Sequence, residues 1–222
     1  MAMVRSAYAD RKVSFQIRYL WWISFGLMTL FVLLTRDRAL LDSQSFLRQR
    51  YAPYAALMFA HGVPGALALF LGPFQFSSRL RQRFIRLHRA IGRTYVGCTF
   101  IAAPLAIAVS ILLPKPGVLP ATLVHSSCWI VTTAAALYCV LTGRIQQHRE
   151  WMMRSYPFAA VFVITRTFGQ IPAIQRMGLE GNVAVVWTSV ALAGIVPSFL
   201  IAWQAMPARK RVAKPQIATA ND

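Results

Sequence analysis

Four histidines, His61, His88, His125 and His148, are the side chains of this sequence best suited to hold a metal ion. Each lies in or at the end of an apolar stretch. Neutral imidazole is a good iron ligand, and one ring from each of two facing helices completes the axial coordination of a haem. Threading the stretches back and forth across a bilayer puts His61 and His125 near one face and His88 and His148 near the other. The expected metal sites are two bis-histidine b-type haems, one at each level. From His61 to the end of its stretch is 15 residues, which at ~1.5 Å per residue sets the levels roughly 20 Å apart.

The cations sort by the same levels. Arg166 lies inside an apolar stretch at about the depth of His61 and His125. An arginine there costs roughly 2.5–3.5 kcal/mol on insertion scales and calls for a partner. The acidic residues are Asp10, Asp37, Asp42, Glu150, Glu180 and Asp222, all outside the stretches. A haem propionate or a small anionic ligand would serve Arg166. So would snorkelling, or carbonyls freed near Pro172. At the other level Arg89, Arg93, Arg149 and Arg154 flank His88 and His148. They are candidate propionate ligands, or charges that only set topology. Glu150 would orient His148 or pair with one of these arginines.

The elements that must position these groups are membrane helices. Of the 222 residues 57% are hydrophobic and 14% charged, with mean hydropathy +0.49, too apolar for a soluble domain of this size. Six stretches can span roughly 30 Å of hydrocarbon: 16–34, 55–76, 90–113, 119–142, 151–174 and 183–205. Amphipathic extensions over Arg83–Arg89 and Gln146–Glu150 start the third and fifth earlier. Pro64, Pro104, Pro157, Pro172 and Pro197 fall inside stretches, where membrane helices tolerate them. Trp21, Trp22, Trp151, Trp187 and Trp203 lie near stretch ends, as in an interfacial belt. The fold class is an all-α membrane bundle over residues 1–206, with helices two to five (55–174) as its core, two flanking helices and a disordered tail over 207–222.

Seventeen of the 24 Lys and Arg residues fall on one side of this threading and six on the other. By the positive-inside rule both termini are cytoplasmic, in a bacterial inner membrane. The net charge of +18 therefore points to anionic inner-leaflet lipid and not to nucleic acid, for which no motif is present. Cys98, Cys128 and Cys139 lie in apolar stretches without a CxxC pattern and read as packing thiols. No HExxH, GxSxG or phosphate loop occurs. No carboxylate pair within the stretches could do acid–base hydrolysis.

A weak internal repeat supports the pairing. His61 is followed after 26 residues by His88-Arg89, then Arg93 and Tyr95; His125 is followed after 22 by His148-Arg149, then Arg154 and Tyr156. A two-helix repeat places its pseudo-twofold axis along the membrane normal, bringing His61 opposite His125 and His88 opposite His148. Gly65 and Gly92 stand four residues after His61 and His88, on the same helix faces. They would leave room for a flat macrocycle, or permit close helix packing.

The His-Gly at 61–62, Gly-Pro-Phe at 72–74, LHRAIGRTY at 87–95 and HREWMMRSY at 148–156 resemble a bacterial family of uncharacterised, predicted multi-pass membrane proteins. In layout the chain is also distantly similar to the transmembrane di-haem cytochrome b family. That resemblance implies four consecutive helices with one haem-ligating histidine each, the first paired with the third and the second with the fourth. Two departures stand out. His88 and His148 lie at helix ends, and the lysine- and arginine-rich donor sites of that family have no counterpart here. The expectation is a cytochrome b-like electron-transfer protein, a transmembrane oxidoreductase whose donor and acceptor the sequence leaves open. Two other readings compete: a haem-free transporter or lipid-binding protein with Arg166 and Gln170 lining a cavity, and a structural membrane protein.

Overall fold

A computed structural model describes residues 51–212 continuously, together with scattered residues between 26 and 49. Everything ordered into an element is helical. A 3-10 turn at Ala52–Tyr54, with Pro53 at its start, leads into α1 (Ala55–Gln75). Next come α2 (Ser78–Arg83) and α3 (Ile85–Leu112), then α4 (Val118–Leu141) and α5 (Ile145–Phe168). The short α6 (Pro172–Arg176) and the long α7 (Gly178–Val212) complete the order. The first expected stretch, 16–34, lies outside the described residues apart from a few helical positions, and Trp21 and Trp22 lie outside them entirely.

The expected spans correspond to α1, α3, α4, α5 and α7. Among the described residues four helical segments are long and apolar enough to cross a membrane: Ala52–Gln75, Ile85–Leu112, Val118–Leu141 and Gly178–Met206. The fifth, α5, has the length but carries Arg149, Glu150, Arg154 and Arg166. Its position explains that tolerance. Met152, Ser155, Phe158 and every residue from Ala159 to Val161 are buried against neighbouring helices.

The extension before the fifth stretch is present, since α5 starts at Ile145. That before the third is present from Ile85 on, with Arg83 ending α2 and Phe84 separating the two helices. His88 and His148 therefore sit in the first turn of their helices. Two boundaries differ from expectation. The fifth stretch breaks at Gly169–Ile171, because Pro172 lacks the N–H to continue α5 and instead opens α6. Helix α7 runs to Val212, six residues into the expected tail, and the remainder of that tail lies outside the described residues. Gly117 and Gly143, at φ 75° and 74°, make the turns on either side of α4. A side chain at either would be strained, so both reversals depend on glycine.

Helix packing follows a ring. Helix α1 packs along α3 and touches α5, and α4 packs along both α3 and α5. So α1 and α4 occupy one diagonal of a four-helix core, and α3 and α5 the other. Helix α7 covers α5 and part of α4. Small residues line the contacts: Ala68, Ala102, Ala121, Ala136, Thr99, Thr133, Ser126 and Ser155 are fully buried. Without a hydrophobic drive between helices in lipid, such residues allow backbones to approach closely. Large apolar side chains such as Phe59, Val131, Leu141, Ile195 and Phe199 point outward, as a lipid-facing surface requires.

Candidate functional site

The four histidines occupy one helix each of the core and are all half-buried. His61 and His125 are on the α1–α4 diagonal, His88 and His148 on the α3–α5 diagonal. Within each pair the rings are close enough for their charges to interact. Each diagonal thus carries one histidine from each half of the repeat.

Three of the rings are fixed by a carbonyl on the next helix. His61 donates from Nδ1 to Ala102 O at 2.9 Å. His148 donates from Nδ1 to Ala136 O at 2.8 Å. His125 donates from Nε2 to Phe158 O at 2.9 Å. A carbonyl can only accept, so each bond fixes the tautomer and leaves the opposite nitrogen with its lone pair. Outer hydrogen bonds of this kind orient metal-ligating histidines. They equally join helices.

These bonds also calibrate the levels. His61 meets α3 at Ala102, 14 residues beyond His88, which is roughly 21 Å of helix. His125 meets α5 at Phe158, 10 residues beyond His148, roughly 15 Å. The difference is one helical turn. It is the same turn by which the second half of the repeat is shorter, with 22 residues between its histidines in place of 26.

Among the described residues each level contains one buried polar atom without a partner: Ser126 Oγ next to His125, and Nδ1 of His88. Buried polar groups are rarely left so. Around His88, Gln75 reaches across from α1 and donates to His88 O at 3.3 Å. Its carbonyl oxygen lies where a Cβ on Gly92 would come within 3.0 Å. The space beside Gly92 is therefore filled by Gln75. Gly65 faces Ala102 at ordinary contact distance. Both glycines serve helix packing.

The expected arginines separate. Arg89, Arg93 and Arg149 are exposed around the His88–His148 end. Arg154 lies 3.9 Å from Glu150, and its guanidinium covers the Trp151 ring at 4.9 Å from the centroid. Glu150 also accepts from Gln146, so Ala136 O and not Glu150 orients His148. Arg166 lies over Phe162 at 4.3 Å, within electrostatic range of His61. Gln170 donates to Arg166 O and accepts from Gln175, beyond the end of α5.

Between the two levels lies a network that the sequence reading missed. Tyr95, fully buried, shares a 2.8 Å hydrogen bond with Ser155 and accepts one from Trp129 Nε1 at 3.1 Å. Ser155 is bonded in turn to Thr133 at 2.7 Å. The indole of Trp129 is 6.0 Å from the His125 ring. Tyr156 lies against Gly72, where no side chain would fit, and donates to Leu69 O at 3.3 Å. A signal for this existed. Tyr95 and Ser155 each stand seven residues after a first-turn histidine, so the repeat makes them counterparts across its axis. Aligning Tyr95 with Tyr156 hid that.

Among the described residues no cluster of three or more His, Cys, Asp or Glu comes together. Paired histidines suit a cofactor that brings its own equatorial ligands. The cysteines are free thiols, Cys98 and Cys139 buried and Cys128 partly so, as packing residues should be.

No curated protein and no solved structure matches the chain. One family does, described as "Predicted membrane protein (DUF2306)", over residues 58–206. The match takes in all four histidines, the Tyr95 network and most of α7, and on that basis the chain belongs to this family of predicted membrane proteins.

Proposed function

We propose that the core is a membrane electron-transfer unit, with haem b held by His61 and His125 at one level and by His88 and His148 at the other. The observation that carries this reading is the diagonal pairing: four helices, one histidine each, with the partners of each pair on opposite corners. A flat macrocycle ligated from two sides needs its ligands on opposing helices. Three rings are already oriented through one nitrogen, with the other left as a lone pair. The orphaned Ser126 Oγ and His88 Nδ1 mark each level as a place where a polar group is missing a partner.

When bound, haem supplies one-electron chemistry at a potential set by axial ligands and burial. The chain's own residues orient the imidazoles, exclude water and separate the levels. Tyr95, Trp129, Ser155 and Thr133 close the middle of the bundle with mutually satisfied hydrogen bonds. An electron can cross such a dry, packed layer, whereas a hydrated ion would have to break it. This weighs against the transporter reading, as does Gln170, whose amide is engaged outside the core. Arg89, Arg93 and Arg149 would meet propionates at the basic end, and Arg166 at the other. The basic end would face the cytoplasm, beside anionic lipid.

A reduced-minus-oxidised visible spectrum of protein expressed with ample haem tests the reading. Sharp b-type bands with two haems per chain are expected. One haem would restrict the function to a single level. No bands would overturn it.

A further inference from the structure

Arg154, aligned by the repeat with the arginines around the histidines, lines a different feature. A cleft of about 390 Å³ runs between α4, α5 and α7, bounded by Val131, Trp151, Arg154, Phe158, Gly194 and Ser198 among others. That volume falls within the roughly 300–1,000 Å³ of small-molecule sites.

The cleft is amphipathic along its length. Arg154 reaches back one turn toward the basic end of the bundle, where Glu150 and Trp151 stand. The Glu150 contact, at 3.9 Å, is longer than a charge-assisted hydrogen bond of roughly 2.7–2.9 Å, so most of the five guanidinium donors are uncommitted. Stacking on Trp151 at 4.9 Å holds the cation in place. Away from Arg154 the walls are apolar or self-satisfied, apart from the exposed Ser127. Thr132 bonds to Cys128 O and Ser198 to Gly194 O, each within its own helix. Gly194 keeps the far end open: a Cβ there would touch only the edge of Phe158, at 3.8 Å. Val131 and Ser198 at the margins are exposed, so the cleft opens toward the lipid.

We propose that this cleft binds one anionic phospholipid, its phosphate on Arg154 and one acyl chain along Phe158 and Gly194. A soluble anion would find a single arginine already beside a carboxylate. A neutral tail would leave the guanidinium unmatched. A molecule with both parts uses the whole cleft, and the net charge of +18 draws such lipids to the basic end. The site is independent of haem. It does touch the histidine machinery, because Phe158 supplies the carbonyl that holds His125.

The test is native mass spectrometry of the full chain in mild detergent, with dioleoylphosphatidylglycerol or dioleoylphosphatidylethanolamine added. One phosphatidylglycerol per chain is expected, preferred about fivefold for one arginine's interaction with an anionic head group. Arg154→Gln should abolish the preference, and Gly194→Leu should abolish retention of either lipid. Ser198→Leu, at the exposed margin, serves the same end if Gly194→Leu fails to fold. Unchanged retention in Arg154→Gln and in the leucine variant would overturn the proposal. So would displacement of the lipid by millimolar inorganic phosphate, which would reveal an anion site with no use for the tail.

Discussion

The two histidine levels are built from the same four helices and the same residue types, yet they differ in how their polar atoms are satisfied. At the His61–His125 level both rings donate to carbonyls of a neighbouring helix, from positions well inside α1 and α4. At the His88–His148 level the rings stand in first helical turns, where exposed arginines crowd them. His148 is fixed by Ala136 O while His88 keeps a buried, unpartnered Nδ1. At the first level both rings are oriented before any ligand arrives, and the unpartnered atom is the Ser126 hydroxyl beside them. The second is organised on one side only, so a ligand there has more to supply.

The largest effect that would break this comparison is loss of cofactor. His61→Ala and His125→Ala should each remove one haem per chain, and the same one. His88→Ala and His148→Ala should remove the other. Haem stoichiometry and the split of the reduced bands report this. If His61→Ala and His125→Ala each left a different single haem, the diagonal pairing would be wrong.

The layer between the levels comes next. Adding a methyl group in Gly72→Ala forces the Tyr156 ring off α1, and overpacking of this sort costs about 1–3 kcal/mol. Tyr95→Phe removes the hydroxyl on which Ser155 and Trp129 converge. It leaves the indole N–H buried without an acceptor, at about 1–3 kcal/mol. Both should lower the melting temperature in detergent. A double-mutant cycle of Tyr95→Phe with Ser155→Ala should be non-additive, since the two share one bond. Additivity would mean that Tyr95 and Ser155 do not act as one joint between the helices.

How much of this was legible follows from what leaves a mark in a linear pattern. Apolar length marks a span, and α1, α3, α4, α5 and α7 all fall on expected stretches. Histidines are rare enough that their order along alternating helices fixed the diagonals. The break after Phe168 was marked by Pro172, but proline inside a membrane helix is ambiguous: Pro64, Pro104 and Pro157 stay within their helices. The central network left almost no trace. Tyr95, Thr133 and Ser155 are single polar residues in apolar stretches, and which of them meet depends on helix rotation. Trp129 is the one tryptophan placed away from any stretch end, and among the described tryptophans it is the one that is buried. Gln75 was similarly silent, since nothing near it shows that its amide crosses to α3. The arginines were found as cations, but whether each faces a histidine, a cleft or lipid is again a matter of rotation.

The smallest effect is the one that sharpens the comparison most, and it needs no cofactor. In haem-free protein, His61→Leu gives up a bond to Ala102 O, worth about 0.5–1.5 kcal/mol net. The carbonyl left behind still accepts from its own helix, so the larger penalty of an orphaned acceptor does not apply. His88→Leu gives up no ring hydrogen bond through Nδ1 and relieves a buried polar atom that has none. Removing such a group is nearly neutral or stabilising. The melting temperature should therefore fall for His61→Leu and hold or rise for His88→Leu. Addition of haem should reverse the order for His88, because the wild-type ring then acquires the partner that the leucine cannot offer. Equal destabilisation by both substitutions in the haem-free protein would mean that His88 is held as firmly as His61. The contrast between the two levels would then be lost.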